Sequence, residues 1–284
     1  MYSLAAKGVS MPLKCLRKAS TAAVSSTSQT SFSPVIRMRS SEKGKITNFD
    51  ASQGSVLKWY ACGPTVYEHS HIGHARAYVQ ADIIRRVFTH FFGIQVYFAL
   101  GITDVDDKII QRLEGNGKLR DMLSMTKEYE ISFFEDMKRL NVMPPTVVLR
   151  VSEHIPDIIA YINEIISAGK AYEIEGDVYF DVAQCEENYG RFGALPAPDL
   201  RNTDEGNAPM SLILKRKRYH RDFALWKAGR EGEPGWESPW GRGRPGWHIE
   251  CSAMTHAIFG SQLDIHSGGV DLKFPHHTNE IAQW

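Results

Sequence analysis

Apolar side chains crowd into residues 55–61, Ser-Val-Leu-Lys-Trp-Tyr-Ala, and predict a short buried strand. The turn-forming Cys62-Gly63-Pro64-Thr65 follows. From Ile72 to Phe92 the period changes. Val79, Ile83, Ile84, Val87, Phe88 and Phe91 recur at helical spacing, which predicts a helix that buries these residues and stops at Gly93. Residues 94–100 predict a second strand, and another helix opens near Asp107. Strand, glycine turn, helix and strand form a βαβ unit, hence a parallel sheet with a right-handed crossover. Ligands of such sheets sit beyond the carboxyl ends of the strands, beside helix N-termini. Residues 62–74 and 101–107 are therefore aimed at one cleft.

The middle of the chain breaks this rhythm. Isoleucines 155, 158, 159, 162, 165 and 166 predict a helix over about 153–168, ended by Gly169. Ala171–Ile174 and Asp177–Phe180 read as a hairpin through Glu175-Gly176. A polar, Pro/Gly-rich stretch runs from about Gly193 to Asn207. These features read as a domain inserted at 115–220, between catalytic segments 46–114 and 221–284. The α/β rhythm resumes near Asp222. Strand Gln262–His266 leads through Ser267-Gly268-Gly269 to Asp271, and a helix opens at Pro275, a suitable first helical residue. No internal repeat is present.

Lys+Arg and Asp+Glu both total 33, so net charge does not advertise a nucleic-acid binder, and any basic surface must be local. No stretch reaches the ~20 apolar residues that a bilayer requires. Four widely spaced cysteines, Cys15, Cys62, Cys185 and Cys251, do not form a secreted disulfide framework. The first 41 residues stand apart. They hold no acid, with basic Lys7, Lys14, Arg17, Lys18, Arg37 and Arg39 and abundant serine. On a helical wheel Lys7, Lys14 and Lys18 oppose Ala5, Val9, Leu13 and Leu16, although Pro12 interrupts the helix. Such a segment describes a mitochondrial transit peptide, here assigned to 1–45, and predicts the matrix as destination.

Candidate chemistry begins at His71-Ile72-Gly73-His74, on the start of the long helix. A helix N-terminus offers free N–H groups to phosphate, and Gly73 permits close approach. Alone, these four residues read equally as a helix cap. They are preceded by Trp59-Tyr-Ala-Cys-Gly-Pro-Thr-Val-Tyr67 and followed by Gly101-Ile-Thr-Asp-Val-Asp-Asp-Lys108. Gly246-Trp-His-Ile-Glu-Cys-Ser-Ala-Met254 and Phe274-Pro-His-His-Thr-Asn-Glu280 come later. With these motifs in order, the chain closely resembles the cysteinyl-tRNA synthetases from about Trp59 to Trp284. They are class I enzymes whose first signature spells HIGH.

That resemblance implies a class I Rossmann-like α/β fold, a parallel sheet with an inserted connective α+β domain, incomplete on its C-terminal side. It implies one Zn²⁺ held by Cys62, Cys251, His276 and Glu280. By themselves the two cysteines have no CxxC spacing and read as small buried hydrophobes. His276 and Glu280, at i and i+4, share one helix face. The resemblance also implies that Gly63, Thr103 and Trp247 surround the amino acid. Thr65, His71, Gly73 and His74 would meet the ATP phosphates, with His71 and His74 catalytic, and Gly269 and Asp271 would hold the adenosine. Substrates would be L-cysteine, ATP with Mg²⁺, and tRNA(Cys), and a monomer is favoured. Asp106 and Asp107 read as caps of the next helix.

Two departures stand out. Thr278 occupies a position where the family usually has an acid. The family continues past the point matching Trp284 through a KMSKS loop and an anticodon-binding domain. The 284-residue chain is therefore expected to bind cysteine weakly and to be impaired in adenylate formation and tRNA charging. Rival readings are a cysteine ligase of the mycothiol type and a non-catalytic truncated isoform.

Overall fold

A computed structural model describes residues 36–39, 46–49, 56–113, 118–185, 189–190 and 217–284. The assigned transit peptide, apart from residues 36–39, and the 193–207 stretch lie outside the described residues. A small antiparallel pair, β1 (Arg37–Arg39) and β2 (Ile46–Asn48), comes first.

The central layer is a parallel sheet of β3 (Leu57–Thr65), β4 (Val96–Thr103), β5 (Val147–Arg150) and β10 (Ile265–Ser267), in the order β10-β3-β4-β5. β3 is buried on both faces, which explains its nearly continuous apolar reading. Its side chains alternate between two cores. Leu57, Trp59 and Ala61 join Phe98, Leu100 and Ile102 under α1 (Ile72–Arg86) and α3 (Leu119–Arg139). Tyr60 and Cys62 face the opposite core, with α4 (Ile155–Ser167) and α5 (Trp247–Phe259).

The connections redraw the borders read from the sequence rhythm. β5 pairs in parallel with β4, and Phe133 and Met137 of α3 pack on the central sheet. Residues 119–150 thus complete a second β-helix-β crossover instead of opening the insertion, and the short α2 (Asp107–Arg112) precedes α3. At the other border, the hairpin β6 (Ala171–Ile174) and β7 (Asp177–Phe180) forms one antiparallel sheet with β8 (Phe223–Ala228) and β9 (Gly243–Pro245). The second sheet therefore runs on to Pro245, past residue 220. Its last strand leads through Gly246 into α5. The final helix, α6 (His276–Gln283), begins one residue after Pro275, which serves as its N-cap.

One predicted face is corrected. Phe88 is buried, but Ile83, Ile84, Val87 and Phe91 are exposed, and α1 buries Asp82 and Arg85 instead. Both bond the loop after α3. Arg85 donates to the carbonyls of Met143 and Pro144 and lies over the Phe98 ring, while Asp82 accepts from the Met143 N–H and from Arg86. A buried charge is tolerated when it is paired in this way, and the periodic apolar stripe gave no sign of it. The helix also changes register, with a π-helical turn over Val87–Phe91.

Asp107 ties the two sheets together. It accepts from Lys227 of β8 at 2.8 Å and from Arg244 of β9 at 2.7 Å, and Arg244 also holds Glu233. Burial pushes the Asp107 carboxyl up, but the two cations outweigh it and hold the group below the ordinary carboxylate range. A depressed folded pKa stabilises the native state above the unfolded value of about 4, and that contribution is lost as pH falls through the folded value. Asp107→Asn should therefore cost about 2 kcal/mol at neutral pH. Denaturant unfolding of both proteins from pH 7 downward should show the gap closing below about pH 4. A gap that stays constant across that range would contradict the ion-pair role.

Candidate metal centre and nucleotide cleft

The carboxyl ends of β3, β4 and β10 lie side by side, and the residues that follow them define the cleft. Strand alternation turns Cys62 toward α5, whose second turn carries Cys251, and α6 closes the space with His276 and Glu280. All four are buried, and their potential ligand atoms lie within 4.8 Å of one another. Cys62 Sγ stands 3.9 Å from Cys251 Sγ, 3.8 Å from His276 Nε2 and 3.9 Å from Glu280 Oε1. Tetrahedral ligands at bond lengths of about 2.0–2.3 Å are separated by about 3.3–3.8 Å, so these gaps match a shared ion, whereas a disulfide needs about 2.05 Å. The exception is His276 and Glu280, which form a 2.6 Å ion pair.

Electrostatics reinforce the grouping. The hydrogen bond between the thiols, together with burial, pushes Cys62 up, while the same bond holds Cys251 down at about 5 against burial. Burial disfavours a charged His276, but Glu280 and Cys251 outweigh it and raise the imidazole to about 10. Glu280, desolvated yet flanked by His266 and His276, is held well below its ordinary range. A buried carboxylate thus lies beside an imidazole held in its charged form, with Cys251 the more readily ionised thiol. Such a donor set accepts a borderline-soft divalent ion once the protons leave.

Around the four lie residues that the sequence reading did not assign. His248 is buried, with its Nδ1 3.0 Å from His276 Nδ1, and this fixes the ring orientation. His266 pairs with Glu280, and His277 Nε2 lies 3.7 Å from Cys62 Sγ. Cys62, His266 and His277 therefore form a second, overlapping group. Burial lowers His277 to about 4, leaving it a neutral donor at neutral pH. Its adjacency to His276 and the position of His266 at a strand end were the available signals.

The other expected residues ring the same opening. At Gly63, an added Cβ would sit 1.7 Å from the Gly101 carbonyl oxygen, so only glycine lets β3 and β4 approach this closely. Thr103 is buried at the end of β4, with its hydroxyl 3.5 Å from Glu250 Oε2. Trp247 stacks on His276, with ring centroids 4.5 Å apart at 27°. Thr65 pairs with Thr103 across the strand ends. His71 is the N-cap of α1. It accepts from the Gly73 N–H, and His74 accepts from the His71 N–H, with the two rings stacked at 4.1 Å. Gly269 and Asp271 lie on the exposed turn after β10, and the Asp271 charge acts on both His74 and His277. Of the acids in the second motif, Asp106 is the N-cap of α2, and Asp104 binds the Ser152 hydroxyl and N–H. Thr278 is buried and donates to the Lys273 carbonyl, away from the four ligand atoms.

Comparison with known proteins identifies the family. The family described as tRNA synthetases class I (C) catalytic domain matches residues 48–284. A cytoplasmic cysteine–tRNA ligase of Dictyostelium discoideum is 50% identical over 238 residues, covering 82% of this chain and 36% of that protein. A probable mitochondrial cysteine–tRNA ligase of Xenopus tropicalis is 49% identical over 230 residues, covering 81% of this chain and 38% of that protein. The chain thus spans little more than a third of the length of these two relatives. In fold, it is similar to Mycobacterium tuberculosis methionyl-tRNA synthetase bound by methionyl-adenylate, with TM-score 0.57 at 14% identity, over 80% of this chain and 54% of that one. A match over most of the chain, a parallel sheet of this order and a cleft at its carboxyl ends lead to one conclusion: the chain belongs to the class I (C) tRNA synthetase catalytic-domain family.

Proposed function

We propose that this chain carries the amino-acid and ATP sites of a cysteine–tRNA ligase, with Zn²⁺ held by Cys62, Cys251, His276 and Glu280. The observation that carries the reading is the convergence of two thiols, an imidazole and a carboxylate from three separate elements at 3.8–3.9 Å from Cys62. Bound there, Zn²⁺ would supply a preference for a substrate thiolate over the hydroxyl of serine, which is similar in shape. Trp247, stacked on His276, forms the wall of the pocket, and Gly63 and Thr103 leave room for the amino and carboxyl groups. The N-terminus of α1, with His71, Gly73 and His74, faces Asp271 across the cleft. It would orient the ATP phosphates so that the cysteine carboxylate attacks the α-phosphorus and pyrophosphate leaves. Thr65 and Gly269 border the same opening. Transfer of the cysteinyl group to tRNA(Cys) completes the proposed reaction of the whole enzyme. ATP would carry Mg²⁺, and the active unit is proposed as a monomer.

Elemental analysis of the purified chain should give close to one zinc per molecule. Cys251→Ala and His276→Ala should each lose most of it, and calorimetry should show cysteine preferred over serine by at least a hundredfold only in the metal-loaded protein. Equal binding of cysteine and serine by zinc-loaded protein would overturn the assignment.

We further propose delivery to the mitochondrial matrix. The acid-free, basic, serine-rich residues 1–41 support it, and the relatives include one named mitochondrial and one named cytoplasmic. A fluorescent protein carrying residues 1–45 should accumulate in mitochondria and be shortened on import. A cytosolic signal identical to that of the untagged reporter would rule the destination out.

A further inference from the structure

Tyr60 has no exposed surface, and its hydroxyl makes no well-formed hydrogen bond among the described residues, the Cys251 thiol being the group within reach of it. A buried hydroxyl without a partner is destabilising, and phenylalanine would pack in the same volume without that cost. The placement of this hydroxyl is specific. Tyr60 and Cys62 are two residues apart on β3, so both side chains leave the same face of the sheet, toward α5. The ring leans along the strand until its oxygen lies over Gly101 of β4, the residue paired with Cys62. An added Cβ at Gly101 would come within 2.0 Å of the Tyr60 oxygen, so the glycine leaves the hydroxyl its space. The ionisable groups around that oxygen are Cys251 foremost, then Cys62 and Glu280, three of the four proposed ligands. The His266 ring lies 5.4 Å from the Tyr60 ring on the other side.

We propose that Tyr60 is a positioning residue of the metal centre, its hydroxyl donating a hydrogen bond to the Cys251 thiolate of the metal-loaded protein. This rests on the four-ligand reading above and deepens it. A thiolate bound to a metal keeps lone pairs free and accepts hydrogen bonds, and outer partners of this kind orient a ligand and tune its basicity. Tyr60 is suited to the task because a phenol is neutral and adds no charge to a pocket that already holds a thiolate and a carboxylate. It has a hydrogen to give, and no other group claims it. The bond withdraws electron density from the Cys251 sulfur, leaving Cys62 as the more electron-rich thiolate.

Cobalt(II) replacing zinc reads this directly, because the energy of thiolate-to-cobalt charge transfer falls as the sulfur becomes more electron-rich. Wild type, Tyr60→Phe and protein with 3,5-difluorotyrosine at position 60 should be compared, each by cobalt absorption and by chelator competition for zinc. Tyr60→Phe should keep one metal per chain, lose affinity by about ten- to a hundredfold, and shift the charge-transfer band to lower energy. The fluorinated side chain, a stronger donor of nearly the same shape, should shift the band the other way. If wild type gains no charge-transfer band, the four-ligand reading falls and this proposal with it. If wild type gains the band and neither substitution moves it, the centre stands and the role of Tyr60 is refuted. Should Tyr60→Phe not fold, the fluorinated protein alone decides, since an unshifted band there refutes the donor role.

Discussion

Everything near the cleft depends on keeping buried charge compensated where three parallel strands end. A thiolate and a carboxylate in the interior would each be prohibitive alone. They persist because His266 and His276 face Glu280, and because Cys62 and Cys251 share a hydrogen bond. This arrangement uses residues from β3, α5, β10 and α6. Any slip of one element would leave a charge unpaired, and so the site enforces the register of the fold as much as the fold positions the site. It also shows why a divalent ion suits the place: an ion would take over the compensation that protons and histidines now provide.

The second sheet is part of that positioning. Its last strand delivers the chain into α5, so the placement of Trp247 and Cys251 follows from the seating of β8 and β9. Asp107, at the start of α2 beyond β4, grips both of those strands through Lys227 and Arg244. The clamp joins the central sheet to the strand feeding the candidate metal centre. Asp106, next to it, is the one that caps the helix. Two adjacent acids that look equivalent in the sequence thus have different work, set by which side of the helix start each side chain leaves.

The sequence carried the elements well where burial was simple. The apolar runs of β3 and β4, the isoleucine face of α4 and the Glu175-Gly176 hairpin all lie where the pattern puts them, because the strands are buried on both faces and α4 buries one clear face. It failed on α1, where the pattern was apolar but the buried positions are Asp82 and Arg85, held by the backbone N–H of Met143 and by the carbonyls of Met143 and Pro144, far along the chain. It also misplaced the borders of the insertion, since strand pairing between β4 and β5, or β7 and β8, leaves no local trace. The proposed metal ligands show the same limit. No spacing rule unites Cys62 with Cys251, and only the long motifs, read together, set them beside His276 and Glu280. His248, His266 and Tyr60 act through neighbours distant in sequence, so periodicity could not single them out.

The HIGH segment shows how a helix start can serve two ends. Its first N–H groups have no partner within the helix and need acceptors from elsewhere. Here His71 and His74 provide them, each ring accepting from a backbone N–H, and the rings stack on one another. Both acceptors are neutral nitrogens on exposed or half-buried side chains, so they hold the backbone donors weakly. A phosphate oxygen, carrying full charge, is the better acceptor at a helix N-terminus. Under the proposed function, a phosphate that displaced them would leave the imidazoles free to turn and donate to it as well. The cap that orders α1 in the free protein is therefore the same group of atoms that would receive the nucleotide.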